Sequence, residues 1–314
     1  MLVALLAEAI KAAAPLLFAT VGGILCERSG HLNLGIEGMM LMGAVTGFSI
    51  GLASNSPILA LLGAMVAGGI GGLIYAIITV SFMGNQVVTG LSLSIFGIGY
   101  ANFIGSFHTK GGFVRLGDAF TSLFGKMNIP GLSDIPFIGR LFFQFDIMVY
   151  IAFAVAILAG IYLYKTRPGQ NLRAVGEHPG AADAAGISII KYKYIHIVAG
   201  GMLCGLAGAY YSLVDLGTWK NDITSGAGWI AVALIIFSKW NPYKAMYASI
   251  LFGGLRIFYL YQNKLGFTIP VNSYFIQMLP YAATIIALVF SSVKKSRKNQ
   301  APAALGTGYF REER

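Results

Sequence analysis

The sequence predicts an all-α, polytopic integral membrane protein with about nine membrane-spanning segments, some of them broken helices. Three observations carry this. Of the 314 residues, 56% are hydrophobic and only 11% charged, and the mean hydropathy is +0.72, which excludes an ordinary soluble domain. Apolar runs of roughly 20 residues recur from end to end, the length a helix needs to cross hydrocarbon. The 41 glycines suit helices packed backbone to backbone in lipid rather than strands of a barrel.

The expected spans, in order, are 12–26, 32–53, 57–82, 86–107, 145–164, 194–216, 226–237, 242–261 and 273–291, with the first and seventh short. Residues 2–10 are too short and too poorly flanked for a cleavable signal peptide, because no basic stretch precedes them. They read either as an interfacial helix or as the start of one long tilted first helix. Cys26 and Cys204 lie in apolar surroundings without metal or redox spacing and read as small packing residues.

The net charge of +10 is unevenly placed. Lys165, Arg167, Arg173, Lys191 and Lys193 fall between the fifth and sixth spans, Lys239 and Lys244 between the seventh and eighth, and Lys294, Lys295, Arg297 and Lys298 after the last. Nine spans put all three groups on one side, which the positive-inside rule makes the cytoplasm. The C-terminus, with its basic tail 294–314, is then inside and the N-terminus outside. Lys110, Arg115, Lys126 and Arg140 are spread more thinly over the external loop 108–144. Anionic lipid headgroups suffice as partners for this charge, without nucleic acid.

Two segments interrupt the membrane pattern. The external loop 108–144 is rich in Gly, Pro and aromatics, hints at one short helix around 116–127, and reads as a cap facing a partner or as a lid over helix ends. The cytoplasmic loop 165–193 contains NLRAVGEHPGAADAAG. Asn171 is placed to cap a turn stopped by Gly176, and Pro179 to open a second helix stopped by Gly186. Such a compact knob, with Arg173, Glu177, His178 and Asp183 among alanines such as Ala182, suits a groove in another protein better than catalysis.

The densest polar cluster is ERSGHLNLGIEGMMLMGA, residues 27–44, set between apolar runs. An ionisable residue at the centre of a bilayer costs at least ~2.5–3.5 kcal/mol, and non-helical backbone survives there only inside protein or beside a watery cavity. The segment therefore reads as a broken helix lining a transport pathway. Asn33 is placed to cap a helix beginning at Leu34, and Glu37 follows one turn later. Glu37 can pair with Arg28, hold the break together by hydrogen bonds, or touch substrate. Asn85, Thr89 and Ser92 form one polar stripe on the fourth span, either pathway lining or interhelical glue. Tyr210, Tyr211 and Trp229 can stack on a base or anchor span ends at the interface. A loose repeat of the break occurs at SGAGWIAVALIIF, residues 225–237.

The chain carries no phosphate-binding loop of the GxxxxGK[ST] type, and Glu37, Asp146, Asp215 and Arg256 are scattered over four expected spans rather than gathered in a proton relay. The histidines have no metal-ligand spacing. Neither interface gathers paired carboxylates or a Ser/His constellation, which disfavours a lipid-modifying enzyme. An energy-supplying partner docked on the knob remains.

ERSGHLNLGIEGMMLMGA, NQVVTGLSLSIFG at residue 85, GQNLRAVGEHPGAADAAGI at residue 169 and GAGWIAVALIIFSKWNP at residue 226 together resemble the permease subunits of ATP-binding-cassette importers, in the branch that handles nucleosides and simple sugars. The resemblance covers residues 11–293. It implies one permease domain over the whole chain, in a bacterial-type cytoplasmic membrane. It further implies a second and longer permease chain, two ATPase domains below, an extracytoplasmic binding lipoprotein above, and no cofactor in this chain, ATP being used by the partner. The knob is then the coupling loop, with Arg173 to Gly186 in the ATPase groove. Nucleosides or related ribosylated compounds are the expected cargo. Simple sugars or riboflavin are the alternative within this class, and a stand-alone ion-coupled carrier is the alternative outside it.

Overall fold

The computed structural model describes residues 2–109, 114–127, 131, 133, 135, 138–262, 278–279, 282–286, 289 and 300–310. All regular elements among them are helical. In chain order these are α1 (Leu2–Arg28), α2 (Ile36–Ser54), α3 (Pro57–Ala76), α4 (Gln86–Thr109), α5 (Asp118–Leu123), α6 (Ile138–Phe142), α7 (Ile147–Lys165), α8 (Arg167–Glu177), α9 (Pro179–Ala184), α10 (Ile189–Ala209), α11 (Ala227–Phe237) and α12 (Pro242–Gln262). Single π-helical turns extend α3 over Ile77–Ser81 and α10 over Tyr210–Asp215.

Among the described residues six helices are long and apolar enough to cross a membrane, α1, α2, α3, α4, α7 and α10, while α11 is apolar but short. α12 occupies the expected eighth span. The expected span 273–291 and the basic cluster 294–298 lie largely or wholly outside the described residues. Residues 2–10 form no separate interfacial helix: α1 runs unbroken through them and through Pro15. Proline survives there because the helix is enclosed by protein that fixes its path.

Glycine sets how closely the central helices approach. A Cβ on Gly68 of α3 would lie 2.7 Å from the Gly205 backbone of α10, and one on Gly72 2.8 Å from the Ile197 carbonyl. These positions admit no side chain, so α2, α3 and α10 meet backbone to backbone around a core containing Met39, Phe48, Tyr75 and Tyr210. The opposite faces of α3 and α4 expose Ile58, Leu62, Val66, Ile70, Val88, Ile95 and Phe103, the apolar surface a bilayer or a second chain requires.

Helix ends segregate. The end of α1, the knob α8–α9 and residues 300–310 contact one another, whereas α5 packs on Gly51 near the far end of α2 and a bridge joins Arg115 to Thr218. The external-loop helix spans only Asp118–Leu123, and its Phe120 covers helix ends. In the knob, α8 has eleven residues and starts earlier than expected. Thr166, not Asn171, caps it by accepting from the Gly169 amide at 3.2 Å, while Asn171 donates to the Tyr192 hydroxyl. Gly176 lies inside α8 rather than ending it; Arg28 O presses on it, leaving no room for a Cβ, and its own carbonyl accepts from the tail. Gly186, with φ +79°, does end the second knob helix. α10 begins at Ile189, so Lys191 and Lys193 are helical rather than part of the loop.

Candidate functional site

Residues 29–35 leave the helix, so their backbone groups need other partners inside the protein. Three of the partners are side chains from neighbouring helices. Gln86 Oε1 accepts from the Leu32 amide at 2.8 Å, the Tyr75 hydroxyl donates to Leu32 O at 2.6 Å, and the Ser94 hydroxyl donates to Leu34 O at 2.8 Å. The Cys26 thiol donates to His31 O. Asn33 does not cap a helix from Leu34. Its Oδ1 accepts from the Gly35 amide at 2.8 Å, and α2 begins only at Ile36 with no side-chain cap, Gly35 being its N-cap.

A second break, residues 216–226, precedes α11, and a single carboxylate joins the two. Glu37 is 4% exposed. Its Oε1 accepts from the Thr224 hydroxyl at 2.5 Å and from the Gly226 amide at 3.1 Å, and its Oε2 from the Gly228 amide at 2.5 Å. The negative group thus sits on the free amides that open α11, where helix dipole and orphan donors both favour it. Gly228 must be glycine, since a Cβ would lie 2.5 Å from Glu37 Cα. Of the readings open for Glu37, the ion pair with Arg28 is not formed and the hydrogen bonds that hold the break are. Arg28 instead donates from Nε and Nη2 to Trp240 O, both at 3.1 Å, and stands 4.0 Å from Glu177 of the knob, while Glu27 accepts from Trp240 Nε1.

The polar stripe of α4 divides. Asn85 is exposed and accepts from the Val88 amide, Thr89 is buried and donates back to Asn85 O, and Ser92 is exposed. Gln86 and Ser94, on the buried side of the same helix, are the ones that hold the break. Exposed Asn85, Ser92 and Gly99 recur every seven residues, so they share a stripe. Trp229 stands in the first turn of α11 and is 38% exposed, whereas Tyr210 and Tyr211 are buried.

The charges scattered in sequence partly converge at the end of the bundle opposite the knob. Arg256 stacks on and bonds Tyr211 and donates to Thr224 O, Lys11 lies 3.8 Å from Asp215, and Tyr210 donates to Asp146 at 3.0 Å. Burial raises the Asp146 carboxyl above its usual range, and the bond from Tyr210 opposes this. At the knob end, burial, reinforced by the Lys193 ammonium, pushes His31 down to about 3. His31 is therefore neutral at physiological pH. Among the described residues no group of His, Cys, Asp and Glu could hold a metal ion.

The knob surface differs from expectation at one position. Ala182 is only 3% exposed and packs with Val175 and Ile189, because α9 turns that side toward α8 and α10. His178, Ala181, Ala184, Ala185 and Gly186 are among the residues presented outward. A strap that the sequence did not suggest crosses the knob. The Ala304 amide donates to Gly176 O at 3.0 Å, the Gly306 amide to Gly30 O at 3.2 Å, the Ala303 amide to Glu177, and the Tyr309 hydroxyl to Asp183 at 2.9 Å. The tail thereby links the first break directly to the knob.

Residues 5–290 match the family described as the permease component of the branched-chain amino acid transport system. The chain belongs to this permease family. It is 35% identical to the guanosine ABC transporter permease NupQ of Bacillus subtilis, over 96% of this chain and 95% of the relative. It is 34% identical to the nucleoside ABC transporter permease NupC of Lactococcus lactis, over 95% and 94%. It is 32% identical to the putative glucose ABC transporter permease TsgC13 of Haloferax volcanii, over 98% of each. A second and more distant guanosine permease of Bacillus subtilis, NupP, matches at 27% over 80% of this chain and 72% of its own length. No solved structure matches. The chain is accordingly a multi-pass transport subunit of the cytoplasmic membrane.

Proposed function

We propose that this chain is one of two permease chains of an ATP-driven importer of nucleosides or related ribosylated compounds. The observation that carries the reading is near-full-length similarity to guanosine and nucleoside permeases, combined with two broken segments joined at Glu37 inside the bundle. Glucose is the second reading, because TsgC13 is similar over the same length. The partner permease is a longer relative, as the NupQ and NupP pair in one organism suggests. Partner ATPase domains dock on the knob and an extracytoplasmic lipoprotein delivers cargo. The pathway runs along positions a second chain would complete, Asn85, Ser92 and Trp229, while Asn33, Glu37 and Thr89 hold its wall.

In the coupling role, His178, Pro179 and Gly186 join Ala181 and Ala184 as contact surface. Arg173, Glu177 and Asp183 brace the knob: half-buried Arg173 lies over the Tyr164 ring, and exposed Glu177 and half-buried Asp183 hold the tail. Ala184→Glu is expected to lower both ATPase co-purification and nucleoside uptake at least about tenfold, since a carboxylate buried unpaired at a contact is costly. Membrane abundance should not change. Uptake of labelled glucose that excess unlabelled glucose abolishes and excess guanosine leaves unaffected, with no saturable uptake of labelled guanosine, would transfer the assignment to sugars.

Orientation follows from the basic residues beside the knob. A cysteine at Ser122 should react with an impermeant maleimide in intact cells, and one at Ala181 only after lysis. The opposite pattern inverts the topology and removes the knob from the ATPase side.

A further inference from the structure

A cavity of about 420 Å³ opens under the knob, between the π-helical end of α3, the start of α10 and the tail; Thr79, Asp183, Ser188, Ile190, Lys193 and Tyr309 are among its walls. One side of it is electropositive by construction. α10 runs for 21 residues, and Ser188 supplies no side-chain cap, so the first amides of that helix have no intrahelical acceptor and carry the positive end of its dipole. Lys193 stands one turn further on. Side chains lean toward the start of their own helix, which brings its ammonium back to the same end.

Lys193 is 5% exposed, and among the described residues it has neither a hydrogen bond nor an ion pair. Its stem is enclosed but its Nζ is not among the sealed-off atoms, so the ammonium opens on the cavity and is met by whatever fills that space. Among the described residues no carboxylate lies within ion-pair distance of Lys193, although the Asp183 carboxylate stands on the same wall. Asp183 already accepts from Tyr309, Thr79 donates to Tyr75 O, and Glu177 faces Ala303 and Arg28. His31, whose Nδ1 is buried without a partner, is neutral and supplies no charge.

We propose that this cavity binds a phosphate group, with Lys193 Nζ and the first amides of α10 as its donors. The group comes either from a phospholipid, which exposed Met83 and Ile190 would admit from the bilayer side, or from a free phosphate compound in the water beside the knob. In either case it touches α3, α10, the knob and the tail together. Occupancy then stiffens the junction through which knob motion reaches the first break, whatever the cargo.

The test uses the full transporter purified in detergent. Thermal unfolding is followed with inorganic phosphate, with adenosine monophosphate and with sodium chloride at matched ionic strength, and native mass spectrometry counts retained phospholipid. A free source predicts that phosphate or the nucleotide raises the melting temperature of the wild type, with Lys193→Gln needing at least about tenfold more for the same shift. A lipid source predicts a phospholipid per chain retained by the wild type and lost in Lys193→Gln. Lys193→Arg keeps the charge and should retain either signal. A wild type that shows neither signal overturns the proposal even if Lys193→Gln fails to fold, and so does a folded Lys193→Gln that binds like the wild type.

Discussion

Replacing Glu37 by Gln is expected to reduce uptake by at least about tenfold and to lower the melting temperature of the purified chain. The carboxylate accepts three hydrogen bonds with its two oxygens, from Thr224, Gly226 and Gly228. A glutamine of the same shape offers one accepting oxygen, and its amino group faces donors. At least one buried N–H or O–H then loses its acceptor, which costs ~1–3 kcal/mol for each group left unpaired. Thr224→Val, which removes one donor and leaves both amides satisfied, should be milder. Uptake and thermal unfolding are measured together because they separate two roles. Lost uptake with unchanged melting would make Glu37 a substrate contact rather than the clasp between the breaks; normal uptake with unchanged melting would remove both roles.

That clasp shows how far the sequence could be read. The break at 27–44 was legible because polar residues between apolar runs are too costly to be accidental, and the loose repeat at 225–237 pointed to the second break. Their junction was not legible, since Glu37 and Gly228 are separated by 191 residues and nothing local records the pairing. Asn85, Thr89 and Ser92 stood out by spacing, yet Gln86 and Ser94 on the buried side of α4 hold the break. Periodicity reports that residues share a stripe, not which stripe faces the protein. The knob was recognisable from Pro179 and Gly186, but the inward turn of Ala182 depends on packing against Val175 and Ile189. The tail strap had no local signal, because three of its bonds come from backbone amides, which every sequence supplies.

The central helices should be far less tolerant than the exposed face of α4. A Cβ on Gly205 would run into the Ala64 carbonyl of α3 and approach Gly68 Cα at 3.2 Å, and its own backbone lies where a Cβ on Gly43 of α2 would go. Gly201 and Gly208 make comparable approaches, so one stripe of α10 is held against two helices by missing side chains. Gly205→Leu must therefore push α3 off α10, because every atom its Cβ meets is α3 backbone, which cannot repack as a side chain can. Overpacking at a single contact costs ~1–3 kcal/mol, and forcing two backbone contacts apart should remove much of a total stability of only ~5–15 kcal/mol. Membrane abundance is expected to fall at least about tenfold, read by quantitative immunoblot of membranes. Gly99→Leu is the matched control, because a Cβ there meets nothing within 4 Å and the added side chain projects from the exposed stripe of α4. Its abundance should equal wild type. Equal loss in both variants would mean that leucine is tolerated nowhere on these helices, and equal survival would mean that α10 does not pack through Gly205 as the structure has it.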